Sequence, residues 1–202
     1  MGALRRPLFN GGNMKTVILN GSPRKNGDIA FLLNIVRENL KGEVLCFDAF
    51  SSKISPCIDC RSCTRKRGCA IKADMQEIYG EVLDCDNLII ASPLYFSELT
   101  GPLLNILSRF QILFTAKYFL KDPFEIKLKK GGLIICGGGA GGPESAVNTA
   151  NMAFKMLNCT DTFSIFSLNT DNVPADRDEK AQKDAEKLSK FLNGNFYEYT
   201  VI

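Results

Sequence analysis

Four cysteines crowd one short stretch, Pro56-Cys57-Ile58-Asp59-Cys60-Arg61-Ser62-Cys63 and on to Cys69, in the spacing C-x2-C-x2-C-x5-C. Thiolates spaced this way can point inward from one tight loop, and four soft ligands on one loop suit a cubane [4Fe–4S] cluster. Two other readings stay open. A structural zinc site more often uses two separated C-x2-C pairs, and disulfides would require an oxidising compartment. Cys57, Cys60, Cys63 and Cys69 are therefore candidate metal ligands, with a cluster ahead of zinc or bare thiols.

Two other stretches carry potential chemistry. Gly21-Ser22-Pro23-Arg24-Lys25-Asn26-Gly27-Asp28 follows a short apolar run and precedes an amphipathic segment. A strand that feeds small and polar residues into a helix N-terminus gathers backbone N–H groups and the helix dipole at one point, to which Ser22, Arg24 and Asn26 add donors. That makes an anion site, and a plain turn with an N-cap is the simpler alternative. Ser92-Pro93-Leu94-Tyr95-Phe96-Ser97 places aromatics directly after another apolar run, where a planar ligand could stack, or where they could simply face the core.

Composition narrows the chemistry further. The chain has 202 residues, eight cysteines and no histidine or tryptophan. Without histidine there is no Ser-His-Asp or Cys-His hydrolase, no His-ligated zinc and no Rieske-type centre. Redox chemistry must come from cysteine or a bound cofactor. The length fits one domain with a full core. A net charge of +3 is too slight to argue for nucleic acid. No apolar run is long enough to span a bilayer, and Arg5-Arg6 precede no signal-peptide core, so a cytoplasmic protein with reduced thiols is expected. Residues 1–13 lack periodicity and read as a tail before a single domain over 14–202.

The elements that must position these residues alternate along the chain. Strands are expected at Lys15–Asn20, Glu43–Phe47, Asn87–Ala91, Gly132–Cys136 and Thr162–Phe166. Helices are expected from about Ile29 to Leu40, from a capping box at Asp74–Glu77 to about Leu83, from Pro102 to about Ala116, from Pro143 to Leu157 and from Asp176 to Leu192. This pattern predicts an α/β, doubly wound, five-stranded parallel sheet. Ligands in such sheets bind at the carboxyl ends of the strands. The loops after strands one, three and four lie there, with the cysteine-rich loop after strand 2, so one pocket is implied. Gly137, Gly139 and Gly142 also satisfy G-x-G-x-x-G, with Asp161 about twenty residues on. Asp161, however, sits at the start of a strand rather than its far end, and only one helix follows, so no complete mononucleotide half can be built.

Together, Asn20–Gly27, the Pro-Cys-x2-Cys-x2-Cys-x5-Cys loop, Asp74–Tyr79, Ser92–Phe96 and the Gly137–Gly142 loop resemble the flavodoxin-like, NADPH-dependent FMN reductases, and within them the iron–sulfur flavoproteins of anaerobic microbes. The likeness covers nearly all of 14–192. It implies strand order 2-1-3-4-5 and bound FMN, its phosphate held by the loop Ser22–Ile29 with Ser22, Arg24, Asn26, Gly27, Asp28 and Ile29. It implies that Pro93, Leu94, Tyr95, Phe96 and Ser97 line the isoalloxazine and that Gly137 and Gly138 approach its pyrimidine edge. Where the family usually shows Gly-Asn-Thr, this chain has Gly27-Asp28-Ile29. A phosphate-binding hydroxyl is lost and a carboxylate arrives near an anion, unless Asp28 turns away as a helix N-cap.

The function expected from these residues and the resemblance is a redox protein passing electrons between FMN and a [4Fe–4S] cluster. The alternative is an NAD(P)H-dependent FMN, quinone or nitro-compound reductase without a cluster; a zinc-stabilised or redox-responsive binding protein is a third. Arg61, Arg65, Lys66 and Arg67 could offset cluster charge or dock an acidic, ferredoxin-like donor. Phe110, Phe114, Tyr118, Phe119 and Phe124 predict a homodimer or tetramer. Cys46, Cys85, Cys136 and Cys159 read as small core residues, Cys136 lying near the proposed pocket.

Overall fold

The three central strands are apolar on both faces, so both must be covered. In β1 (Lys15–Asn20), Val17 and Leu19 join one buried cluster and Ile18 the other. The same split separates Leu88 and Ile90 from Ile89 in β3 (Asn87–Pro93), and Leu133 and Ile135 from Ile134 and Cys136 in β4 (Lys129–Gly137). The computed structural model describes residues 14–72, 74–139 and 141–194. With β2 (Glu43–Asp48) and β5 (Cys159–Leu168), these strands form one parallel sheet in the order β2-β1-β3-β4-β5. This is the flavodoxin-like arrangement.

Helices α1 (Asp28–Asn39) and α6 (Glu179–Asn193) cover one face through residues such as Leu32, Val36, Ala185 and Leu188. Helices α2 (Met75–Asp84), α3 (Gly101–Arg109) and α5 (Glu144–Met156) cover the other through Ile78, Val82, Leu103, Ile106 and Phe154. Each such buried aliphatic or aromatic side chain contributes about 1.5–3 kcal/mol. Residues 1–13 and 195–202 lie outside the described residues, and with them the expected tail and the end of the domain. No helix among the described residues is long and apolar enough to cross a membrane.

Four local expectations are corrected. Strand β4 begins at Lys129, three residues early, because Lys129 and Lys130 are buried with their ammonium groups capping helix ends. Lys129 Nζ donates to Leu157 O at 3.1 Å and Lys127 O at 2.7 Å, and Lys130 Nζ to Phe191 O and Gly194 O, both at 2.7 Å. Burial holds the Lys129 pKa below the ordinary lysine value. The single long helix after Pro102 is broken: α3 ends at Arg109, α4 spans Gln111–Thr115, and a π-helical turn covers Ala116–Leu120. The break follows from Tyr79, whose hydroxyl donates to Arg109 O at 2.8 Å in place of a helical N–H. Asp74 precedes α2 without a side-chain capping bond, so the capping box is not made. Asp161 lies inside β5, which starts at Cys159, not at the strand's first position.

Candidate functional site

At the carboxyl edge of the sheet, β1 delivers Asn20 and Gly21 to the turn that opens α1. Asn20 Oδ1 accepts from Ser22 N at 3.0 Å, and Ser22 Oγ accepts from Arg24 N at 3.3 Å, so the loop's polar side chains shape their own backbone. Gly21 is fixed against α3: a Cβ there would stand 2.8 Å from both Leu103 Cδ2 and Thr100 Oγ1. Thr100 Oγ1 donates to Gly21 O at 2.8 Å. The open first turn of a 12-residue helix then faces the cleft.

Ser22, Pro23, Arg24, Gly27, Asp28 and Ile29 form one wall of this cleft; Pro93, Leu94, Tyr95, Cys136, Gly138, Thr170 and Asp171 form the rest. Nine of the residues expected at the flavin are therefore brought together: Ser22, Arg24, Gly27, Asp28, Ile29, Pro93, Leu94, Tyr95 and Gly138. Asn26, Phe96, Ser97 and Gly137 stand outside the walls. Gly137 is packed beneath Leu94 and Leu168. Phe96 and Ser97 occupy the centre of a two-residue turn at φ 53° and 61°, closed by Tyr95 N to Glu98 O at 2.9 Å, which turns Phe96 fully to solvent. Side chains other than glycine or asparagine are strained there. Glu98 holds the turn: its Oε2 accepts from Ser145 Oγ at 2.8 Å and Thr149 Oγ1 at 2.9 Å. Burial alone would raise the Glu98 pKa, but these bonds and the Leu99 N–H outweigh it and hold the carboxyl below its ordinary value.

Asp28 neither caps α1 nor faces the phosphate position unopposed. Gly27 is the N-cap, and Asp28 Oδ1 accepts from Ala175 N at 2.9 Å, tying α1 to the approach of α6. Ile29 is buried in the core below the loop. Thr170 and Asp171 were not foreseen. Their backbone N–H groups donate to Gly137 O at 2.9 Å and Gly138 O at 3.1 Å, so the exit of β5 holds the glycine loop in shape. The polar run Asn169-Thr170-Asp171-Asn172 would have flagged them had β5 been read to Leu168.

The expected single pocket is corrected: the cysteine loop, anchored on α3, lines a second cavity that shares no residue with the cleft. Cys57, Cys60, Cys63 and Cys69 line one cavity with Ile58, Ile71, Ile112, Phe114, Phe119 and Arg109. Cys57 N donates to Ser108 Oγ at 3.0 Å, and Asn105 Nδ2 donates to Ile54 O at 3.3 Å, so α3 grips the loop where it begins. Asp59 and Arg61 sit at φ 49° and 57°, which gives the loop its tight reversals. Hydrogen bonding from the Ser62 backbone, then its hydroxyl, lowers the Cys60 thiol pKa. Among the described residues, however, no three Cys, Asp or Glu side chains are gathered closely enough to hold a metal ion.

What fits an anionic group at this cavity is Arg109. It is 1% exposed and makes no ion pair among the described residues. Its Nη1 donates to Ser55 O at 3.1 Å and its Nη2 to Cys69 Sγ at 3.3 Å, while its buried Nε has no partner. A buried guanidinium costs several kcal/mol unless negative charge compensates it. Four thiolates and a cluster would supply that charge and an acceptor. The remaining cysteines behave differently: Cys85, Cys136 and Cys159 are buried as expected of core residues, whereas Cys46, on the edge strand β2, is exposed and not in the core. Burial pushes Cys85 and Cys159 to about 12 and also raises Cys136, so these three stay protonated near neutrality.

Of the five aromatics expected at an interface, Phe110 is buried and Phe124 lies under the Arg67 guanidinium, 4.2 Å from the ring centroid. Phe114, Tyr118 and Phe119 remain exposed beside the cysteine cavity, with the Phe114 ring in tilted contact with each of the other two.

Comparison with known proteins agrees with this geometry. Residues 14–172 match the family model of NADPH-dependent FMN reductase. An iron–sulfur flavoprotein of Methanocaldococcus jannaschii is 33% identical over 147 residues, 70% of this chain and 71% of the relative. One from Archaeoglobus fulgidus is 31% identical over 145 residues, 70% of this chain and 63% of the relative. In structure, the chain is similar to an NAD(P)H:quinone oxidoreductase from Methanothermobacter marburgensis, with TM-score 0.68 and 17% identity over 91% of this chain and 99% of that one. It is likewise similar to an FMN-dependent NADH-azoreductase from Bacillus anthracis in complex with FMN, with TM-score 0.66 and 15% identity over 90% of this chain and 100% of that one. The sheet order, the cleft at its carboxyl edge and the match over most of the chain lead to one conclusion: this protein belongs to the NADPH-dependent FMN reductase family of FMN-dependent oxidoreductases, in company with the relatives named iron–sulfur flavoproteins.

Proposed function

We propose that this protein is an electron-transfer flavoprotein that holds FMN at the carboxyl edge of the sheet and a [4Fe–4S] cluster in the cysteine cavity. FMN takes up electrons singly or in pairs and a cluster passes them singly, so adjacent centres interconvert the two modes. In the cleft, Arg24, Ser22 and the first turn of α1 bind the phosphate, while Leu94 and Tyr95 offer a face to the ring system. In the cavity, Cys57, Cys60, Cys63 and Cys69 supply the thiolates. Helix α3 joins the two: Thr100, at its start, bonds the phosphate loop, and Arg109, at its end, bonds Cys69. Nine residues of helix separate them by about 14 Å.

The observation that carries this reading is the buried Arg109 in the cavity wall, with no acidic partner among the described residues, Nη2 on Cys69 and Nε unpartnered. The relatives' names support it. Free thiols suit a reducing cytoplasm. The exposed Arg61, Arg65 and Lys66 would meet an acidic, ferredoxin-like donor, and Phe114, Tyr118 and Phe119 would lie in a homodimer or tetramer interface. A second reading is favoured by one specific observation: the four thiols are not gathered as they stand. On that reading the protein is an NAD(P)H-dependent FMN, quinone or nitro-compound reductase and the cavity stays empty. Stopped-flow reduction of anaerobically prepared protein separates them. The carrier reading expects rapid oxidation of reduced ferredoxin and slow oxidation of NAD(P)H; the reverse order supports the reductase.

A further inference from the structure

The cavity residue with no role in the family pattern is Arg109. Its position is costly to build. The guanidinium is buried, the residue lies in the last turn of α3, and its backbone carbonyl accepts from the Tyr79 hydroxyl. Three carbonyl or thiol acceptors, on Ser55, Ile71 and Cys69, bracket the cysteine loop from before its first cysteine to beyond its last. The orphaned Nε is the one nitrogen of the guanidinium without a partner among the described residues. An arginine cannot shed its proton to escape the cost of burial, as a lysine can. A positive charge is therefore fixed at this wall whatever the pH.

We propose that Arg109 is a positioning and potential-setting residue for the cluster site, holding Cys69 in place through Nη2 and offering Nε to a cluster sulfur. The inference rests on the reading that a cluster is bound. A cluster held by four thiolates is anionic and gains one negative charge when a single electron enters it. A fixed cation and hydrogen bonds beside its sulfur atoms stabilise the reduced form more than the oxidised form, which raises the reduction potential. Because Arg109 stays protonated in both states, no proton accompanies that electron here. The sequence hid this role, since Arg109 reads as an ordinary charge at the end of an apolar helix.

The test compares wild-type, Arg109→Gln and Arg109→Lys proteins, each purified anaerobically with FMN and supplied with iron and sulfide. Iron and sulfide are assayed, and the cluster potential is measured by mediated spectroelectrochemistry, with FMN binding as the folding control. Arg109→Gln keeps a donor but loses the charge, so its potential falls below wild type and its iron and sulfide content drops. Arg109→Lys keeps the charge without the planar fork, so its potential lies between the two. A folded Arg109→Gln with wild-type cluster content and potential overturns the inference. Wild-type protein that binds FMN but takes up no cluster overturns the underlying reading instead, a result seen before any variant is compared.

Discussion

The two sites differ in what builds them. The flavin cleft is made by the sheet itself: consecutive strands end at one edge, and backbone hydrogen bonds from Gly21, Leu94, Thr170 and Asp171 lock the loops between them. The cysteine cavity is made by a loop that leaves β2 and is held at both ends by side chains of α3. Cys57 and Cys60 are exposed, Cys63 and Cys69 half-buried, and the four thiols share a cavity without being drawn together. One site is preorganised by topology, and the other is not: a bound cluster would have to draw its thiols together. Damage should therefore travel differently from each.

The largest effect is expected at the ligand-dependent site. Cys60→Ala leaves three thiolates, so acid-labile sulfide should disappear while FMN content holds, because no residue of the loop touches the cleft. Sulfide and flavin assays on one sample check this; parallel loss of FMN would show that the two sites are not independent. A smaller effect in the opposite sense follows from Gly21→Ala. The new Cβ would press on Leu103 and Thr100, and overpacking of this kind costs about 1–3 kcal/mol. FMN affinity should fall, measured by fluorescence titration, with thermal stability reduced and the iron and sulfide content unaltered.

Asp28→Ala removes an acceptor from Ala175 N, and loss of one such bond costs about 1 kcal/mol. Chemical denaturation should report that loss. Asp28→Asn keeps an acceptor and should be milder, and a marked tightening of FMN by either variant would place the carboxylate at the phosphate after all. The smallest effect concerns the Glu98 turn. Its carboxyl pKa is held below the ordinary 4.5 in the folded state, so its stabilisation is complete above that value and is lost as pH falls through the lower folded value. Proteolysis at Phe96 should accelerate only below pH 4.5 in wild type, and at all pH values in Glu98→Gln.

Where periodicity was strong, the sequence was readable. The five strands and their alternate faces follow from Val17-Ile18-Leu19, Leu88-Ile89-Ile90 and Leu133-Ile134-Ile135, and the carboxyl-edge rule then pointed to the cleft. What escaped was set by tertiary partners. Lys129 and Lys130 look like a solvent-facing pair, yet distant carbonyls draw them into the strand. The break after Arg109 depends on Tyr79, thirty positions away. Phe96 leaves the cleft because Glu98 reaches Ser145 and Thr149 on α5, a contact no local pattern encodes. The cysteine spacing was plain from the start, but spacing gives neither the buried cation beside it nor the distance between thiols.

The most direct test of the two-centre account is the content of wild-type protein made without oxygen, with iron and sulfide supplied. FMN, iron and acid-labile sulfide are assayed per chain, and the dithionite-reduced sample is examined by electron paramagnetic resonance. The account predicts bound FMN together with about four iron and four sulfide per chain and the signal of a reduced cubane cluster. Protein that carries FMN but no sulfide, or that fills the cavity with tightly bound zinc, would contradict it.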